Sequence, residues 1–495
     1  MMTLRMMAVL TTCLSASCIT DADWDALKSG GSLMEHDGFV PPRDGDGDMI
    51  EKGDMAVSPT APVIASVMPA IGPTTGGISI TIEGSKFETG IKLAALIGGQ
   101  PLGNLQRIGM ERLMGILPSH FGQAGMADVT VVSGNGEQTT RKNGFKYFWG
   151  KLDFSVPTIF GTGASPWGVV AADLNADGKL DLATANLMSA EVSVFIGKGD
   201  GAFESAKNFR TGIGPTELVA ADLNADGKLD LATANINSAD VSVLLGKGDG
   251  TFQPAMNFMV GSSARSIVVG DWNGDSKPDL ATANESSADV SILIGKGDGT
   301  FGSVKNFPVG SGPQSVAVGD WNADGKLDLA VVRQRREDVS ILIGKGDGTF
   351  TVSPQTFVVG TVPRGIHAAD LNADGNLDLA VANLDGQSVS VLLGKGDGLF
   401  EPARHFPVGA KAAFVAVSDW NGDGRLDIAV AKNDAAQVSI LLGKGDGTFQ
   451  PVMSFPSGMT PLSVAAGDWN ADGKLDLVVT NHSANAVSVL INASQ

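Results

Sequence analysis

The chain has 495 residues and a formal net charge of −19, with 54 acidic against 35 basic side chains. That balance excludes a nucleic-acid binder, which needs a basic stripe, and 2 cysteines exclude a disulfide scaffold. No stretch approaches the run of about 18 apolar residues that a spanning helix needs, so any membrane contact would have to come through an anchor.

In chain order, residues 1–18 read as a secretory leader: Arg5, an apolar stretch Met6–Leu14, then small residues up to Cys18. Ser15-Ala16-Ser17-Cys18 resembles a bacterial lipobox and makes Cys18 the expected lipidation site. It departs from that pattern in carrying Leu14 one place early, and Leu10-Thr11-Thr12-Cys13 is a poorer match. Ordinary secretion is the alternative. Residues 19–61 are rich in Asp, Gly, Pro and Ser and read as a flexible acidic linker. Asp44, Asp46 and Asp48 have a metal-like spacing, but no Gly-x-x-Asp follows them, so a solvated linker is the expectation.

Residues 62–149 hold a different pattern. Ile78, Ile80 and Ile82 alternate with Ser79 and Thr81, as in a half-buried strand. Pro62–Val67, Gly72-Pro73, Gly76-Gly77, Phe87, Gly98-Gly99 and Asp128–Val132 follow an order that resembles an IPT/TIG domain. The resemblance implies a small immunoglobulin-like sandwich acting as a spacer or partner-binding module.

From residue 150 to 495 a unit repeats every 49 or 50 residues, marked by D-x-N-x-D-G-x-x-D starting at Asp173, Asp222, Asp271, Asp320, Asp370, Asp419 and Asp468. A period of that length marks a solenoid, propeller or array. In the unit Ser205–Phe252, short β-branched and apolar runs are separated by Gly, Asn and Asp, and no helical period appears. Four strands per unit and seven units predict an all-β fold: a seven-bladed β-propeller preceded by an immunoglobulin-like sandwich. The last unit stops at Val487–Ile491 without a fourth strand. Phe154 and Phe160 keep the spacing of Phe203 and Phe209, so the N-terminal strand is expected to complete the final blade and remove two sheet edges.

Hard oxygen donors at positions one, three, five and nine of a tight loop suit Ca²⁺, which takes about 6–8 oxygens. Position seven would add its carbonyl. The candidate sets are Asp173, Asn175, Asp177, Lys179, Asp181; Asp222, Asn224, Asp226, Lys228, Asp230; Asp271, Asn273, Asp275, Lys277, Asp279; and Asp320, Asn322, Asp324, Lys326, Asp328. They continue with Asp370, Asn372, Asp374, Asn376, Asp378; Asp419, Asn421, Asp423, Arg425, Asp427; and Asp468, Asn470, Asp472, Lys474, Asp476. Up to seven structural Ca²⁺ ions would offset most of the −19 charge. Ser276 stands where the other loops have Gly, so the third loop is expected to be strained.

These repeats resemble the FG-GAP/VCBS type of integrin α-subunit propellers and many bacterial surface proteins. The resemblance spans about residues 151–492 and implies calcium between the first and second strands of each blade, with a partner on the opposite face.

Other motifs point away from catalysis. Gly-Lys-Gly-Asp-Gly sits between strands and reads as a hairpin turn, since a phosphate loop needs a following helix. His36, His120, His367, His405 and His482 show no metal spacing; His367 could face a central channel. Trp272, Trp321, Trp420 and Trp469 alternate with Leu in other units, which favours packing between blades over a sugar platform. On the face opposite the loops, Arg333, Arg335, Arg336, Arg364 and Lys432 break the repeat and form a candidate ligand patch, with Arg265 and Lys411 nearby.

The functional expectation is an exported, monomeric surface protein, an outer-membrane or cell-surface lipoprotein or a secreted chain. It would bind a protein or glycan, and its membrane contact would be the lipid anchor alone. The alternatives are a carbohydrate-active enzyme in the propeller channel, which would show convergent carboxylates, His or Lys outside the loops, and a non-binding envelope scaffold.

Overall fold

The computed structural model describes residues 61–494 apart from 69, 74–78, 88–92, 118–124, 134–137 and 149–151. The leader with Cys18, the acidic segment up to residue 60, His36, Ile78 and His120 lie outside the described residues. The chain divides into two compact units between Phe148 and Trp149.

The first unit packs two sheets. One orders Val63–Met68, Ser79–Ser85, Arg112–Ile116 and Gly103–Ile108; the other orders Ile71–Pro73, Gln138–Phe148, Gly125–Ser133, Leu93–Ile97 and Gln100–Pro101. Alternation drives the arrangement: Ile80 and Ile82 face inward with Val129, Val131, Phe145 and Tyr147 in one fully buried core.

The second unit consists of seven four-stranded antiparallel sheets. In the second blade the strands are Pro215–Ala221, Asp230–Asn235, Asp240–Leu244 and Met256–Met259. Every second strand is buried along its whole length, as in Asp230–Asn235, because it is covered by a blade on each face. That is why it shows no alternation of exposed and buried positions, and why its polar residues, Asp230, Thr233 and Asn235, are buried with the rest. The fourth strands are half-exposed and four residues long, as at Met256–Met259, except for Phe350–Val358 in the fourth blade. Among the described residues the only helical turn is the 3₁₀ segment His482–Ala484.

The ring is closed. The first strand of each blade packs against those of its neighbours, and Pro166–Ala172 of the first blade packs against Pro461–Gly467 of the last. The last sheet takes Thr158–Gly161 as its outer strand, with Thr158 opposite Val489 and Gly161 opposite Ala486. Phe154 bridges Asn492, just as Phe252 bridges Gly246 inside the second blade. The expected closure by the N-terminal strand is therefore present.

Aromatic pairs seal the blades at the rim. The outer-strand Phe of each blade meets the post-turn Phe of the next edge-on: Phe209–Phe252 at 5.2 Å, Phe258–Phe301 at 5.1 Å, Phe406–Phe449 at 5.0 Å. Phe160–Phe203 at 5.2 Å and Phe455–Phe154 at 5.0 Å carry the same contact across the junction of the chain ends. Each such pair contributes about 0.5–1.5 kcal/mol beyond its area.

The alternation of Trp and Leu at loop position two has a steric partner in the sequence. Trp272, Trp321 and Trp469 follow Gly270, Gly319 and Gly467, whereas Leu174, Leu223 and Leu371 follow Ala172, Ala221 and Ala369. A Cβ on Gly270 would lie 2.9 Å from the Trp272 ring, and one on Gly319 the same distance from Trp321. The indoles are buried between blades, Trp272 and Trp420 at 2% and 1% exposure, which bears out packing as their role.

Candidate functional sites on the two faces of the ring

The Asp-rich loops join the first and second strands of every blade. In the first, the Asp173 carboxylate accepts N–H bonds from Asp177 (3.1 Å) and Gly178 (2.8 Å). The Asn175 amide oxygen also accepts from Asp177, and Asp177 accepts from the N–H of Lys179. The acidic side chains thus wind the loop around their own backbone amides. Asp181 at position nine is fully buried; its carboxylate accepts from Leu174 and Gly197, each at 2.8 Å. It ties the loop to the turn between the third and fourth strands, and the same pair of bonds recurs at Asp230, Asp279, Asp328, Asp378, Asp427 and Asp476.

The loop bends at two left-handed residues, and the sequence pattern announces only one. Gly178 has φ +80° and Ala176, at position four, has φ +60°. In the third loop the roles are exchanged: Gly274 takes position four, and Ser276 holds φ +64° at position six. A non-Gly residue there costs about 1–2 kcal/mol, partly offset by the unfolded-state entropy of Gly. Ser276→Gly should therefore stabilise the fold by about 0.5–1 kcal/mol, read as a higher denaturant midpoint; a lower midpoint would show that the serine is not strained.

The donor set suits a hard divalent cation: three carboxylates and an amide oxygen per loop, and no soft ligand. Burial pushes Asp181 up to about 6, with Asp173 and Asp177 adding repulsion against its two N–H bonds. The same causes push Asp427 to about 8 and Asp476 to about 7. Such a carboxylate is short of positive charge. The position-seven Lys supplies little of it, since Lys179 Nζ stands 3.8 Å from Asp177 and half exposed. Among the described residues no three acidic, His or Cys side chains are gathered as closely as ligands of one ion. The chemistry therefore fits a cation, while the carboxylates at positions one and five rest on their own backbone.

On the opposite face a buried polar ladder crosses the first three blades and, with His405 at its outer end, the fifth. Asn235 donates to Ser242 at 2.8 Å, and Ser242 donates to Asn257 at 2.8 Å. Arg333 and Lys432 take the place of that Asn, and this corrects the reading of both as patch residues. Arg333 is 5% exposed; its Nε and Nη2 donate to Asp338 at 2.8 and 2.6 Å, and Nη1 donates to the Val309 carbonyl. Lys432 is equally buried, donates to Ser454 at 3.1 Å, and has its pKa lowered by burial. Neither charge reaches the face: Lys432 joins the ladder through Ser454, which pairs with Ser439, whereas Arg333 turns to Asp338 and leaves the buried Ser340 hydroxyl without a partner. Arg335 and Arg336 are exposed.

Arg364 belongs to a different cluster, where the first strands open onto the same face. Its guanidinium lies over the Trp167 ring, 4.7 Å from the centroid. Trp167 also meets His482 edge-on at 5.7 Å. Arg364 is on the fifth blade, Trp167 on the first and His482 on the seventh, so the cluster spans the central opening. Arg265 donates to Glu285 at 2.6 Å, and Arg335 reaches the same carboxylate at 3.9 Å. Burial, with repulsion from Arg265, lowers Arg364 to about 10. Lower down, burial pushes Glu217 up to about 7 against hydrogen bonds from Ser266 and Ile267, and pushes His367 down to about 4, so that its ring is neutral. Trp167, Glu217, Glu285 and Gln314 escaped the sequence reading; the signal was there, since each departs from what the other units carry.

The sequence pattern described as FG-GAP-like repeat matches seven times in succession, at residues 124–184, 182–233, 222–282, 271–331, 320–381, 370–430 and 419–479. The IPT/TIG domain pattern matches residues 62–147. A curated relative, human plexin-B3, is 34% identical over 86 residues, which is 17% of this chain and 4% of plexin-B3. The chain therefore spans only a small part of that relative. Among solved structures, BBS1N in complex with ARL6DN is 14% identical, covers 69% of this chain and 96% of its own, and superposes with a TM-score of 0.50. An auxiliary nutrient binding protein from Bacteroides ovatus is 15% identical, with 88% and 98% covered and a TM-score of 0.43. At 14% identity the likeness to BBS1N is one of fold. With the repeat pattern running from residue 124 to 479 over a closed ring of seven four-stranded blades, the chain belongs to the FG-GAP-like repeat family.

Proposed function

We propose that this chain is a calcium-stabilised, exported binding protein, anchored through Cys18 or secreted, whose ring engages a protein or glycan on the face opposite the Asp-rich loops. The observation that carries the reading is the difference between the two faces. The loop face repeats the same hydrogen bonds in all seven blades. On the other face, the second residues of the first strands are Trp167, Thr216, Arg265, Gln314, Arg364, Ala413 and Leu462, at one equivalent position. Repetition serves a scaffold, and side chains that break it are free to specify a ligand.

Asp173, Asn175, Asp177 and Asp181, with the carbonyl of Lys179, would hold the ion in the first loop, and their counterparts would do so in the others. The ion supplies two positive charges to three crowded carboxylates. The loop carboxylates hold the bend through their own amides, and Asp181 carries that order into the neighbouring turn through Gly197.

The test is to probe glycan and envelope-protein arrays with the labelled full chain in calcium. A ligand is expected whose capture is lost in Arg335→Glu, on the proposed face, and kept in Lys247→Glu, beside the loops. Capture that fails only with Lys247→Glu would place recognition on the wrong face for this reading.

A further inference from the structure

The opening of the channel on the proposed binding face holds more positive charge than its partners neutralise. Arg265 and Arg335 both lean on Glu285, at 2.6 and 3.9 Å. Arg364 has no carboxylate of its own. Among the described residues its guanidinium makes no hydrogen bond or ion pair; it lies over the face of Trp167, with Arg265 and Glu285 near enough to act on its charge. Three guanidinium groups therefore share Glu285, while the second acid of the opening, Glu217, is hydrogen-bonded to Ser266 and Ile267 instead, on a chain whose net charge is −19.

A second observation points the same way. Gln314 occupies on the fourth blade the position that Arg265 and Arg364 occupy on the third and fifth. It is 5% exposed, and its amide nitrogen has no hydrogen-bond partner. A buried N–H group left unpaired costs about 1–3 kcal/mol. Three consecutive blades thus present donors at one level, two of them charged and one unsatisfied, with an indole ring alongside. Nothing in the fold requires this, because Thr216 at the same position turns its hydroxyl onto the carbonyls of Ala234 and Arg265 and is fully satisfied.

We propose that this opening is a binding site for an acidic sugar residue, with its carboxylate held by Arg364 and Arg265, its hydroxyl oxygens by the Gln314 amide, and its ring beside Trp167. A guanidinium fork matches a planar carboxylate with two parallel hydrogen bonds. The cation–π contact orients the Arg364 fork in advance, so less side-chain entropy is lost on binding. A sugar is favoured over an acidic peptide because an aromatic ring lies at the level of the donors. The proposal rests on the binding role of this face and names its ligand class.

The test is calorimetric titration of the calcium-loaded full chain with D-galacturonate, with D-galactose as the neutral control and a short peptide with a free C-terminal carboxylate as the rival. Galacturonate should bind at least tenfold more tightly than galactose, and its affinity should fall with salt. Arg364→Gln should weaken it at least tenfold without moving the thermal melt. If that variant melts lower, Arg364→Lys, which keeps the charge and loses the fork, should still bind at least several-fold more weakly than the parent. Equal binding of galacturonate and galactose, tighter binding of the peptide, or an unchanged affinity in both variants would overturn the proposal. An array ligand that still needs Arg335 but ignores Arg364→Gln would overturn this site and leave the binding role of the face standing; the absence of any ligand on that face would remove both.

Discussion

Chelation of calcium should lower the melting temperature of this protein by more than about 10 °C. A site at a hundredfold excess of ion over its dissociation constant adds about 2.7 kcal/mol. A large domain shifts by about 2–4 °C per kcal/mol, so even three or four occupied loops suffice. The measurement is a calorimetric melt of a metal-loaded sample before and after EDTA; an unmoved melt would sink the calcium proposal.

The pH dependence should change sign with the ion. In the calcium-free chain the position-nine carboxylates titrate well above the ordinary 3.8: about 6 for Asp181, Asp230, Asp279, Asp328 and Asp378, about 7 for Asp476 and about 8 for Asp427. Burial of the charged form is the main cause in each. A carboxyl group whose pKa rises on folding favours the fold while protonated and weakens it as pH climbs through the raised value. The calcium-free protein should therefore lose stability between about pH 4 and 8. Below that window the turn carboxylates Asp249, Asp298 and Asp446, which are held low by hydrogen bonds from Thr251, Thr300 and Thr448, work in the opposite sense. With calcium the trend should reverse, because the ion requires ionised ligands. Melts at pH 5 and pH 7.5 with and without the ion would show whether the two orders differ.

Deleting residues 151–161 should abolish cooperative unfolding or drive the protein into aggregates. The deletion removes Thr158–Gly161 from the last sheet, along with the Phe154–Phe455 and Phe160–Phe203 contacts. Buried Phe residues truncated in cores cost about 3–5 kcal/mol each, and the strand Ala486–Leu490 would be left as an open apolar edge. Phe154→Ala gives a milder version that should still fold. Shortening the chain by residues 20–55 serves as the length control and should leave the propeller's melt in place. A soluble, equally stable 151–161 deletion would mean that the ring closes without that strand.

Most of the ring was legible in the sequence because a repeat repeats its physics. The period, the turn glycines and the Phe spacing each reported on contacts within a unit or with the next one, and closure followed from a strand missing at one end and present at the other. What escaped was conformational or arose from the ring itself. Ala176 carries no mark of its left-handed backbone, since alanine is ordinary in composition and unusual only in φ. Arg333 and Lys432 looked like surface charges because a long side chain can turn inward when it finds Asp338 or Ser454 at the right depth. Trp167 and Arg364 meet only because the first and fifth blades face each other across the opening, and local patterning does not encode a contact between distant blades.

The junction also sets a timetable. Ser155 Oγ accepts a bond from the N–H of Ile491, 336 residues later in the chain. At about 5–20 residues per second, the strand that locks the ring is made roughly a minute or less before its partner exists, and for that interval it has no sheet to join. Six blades can collapse as each hairpin emerges, because their strands are neighbours in sequence, while the seventh must wait for Ala486–Leu490. Closure of the ring is thus its slow, long-range step, and it leaves one intermediate, a nearly complete ring with a single unpaired edge, as the species that chaperones would have to protect.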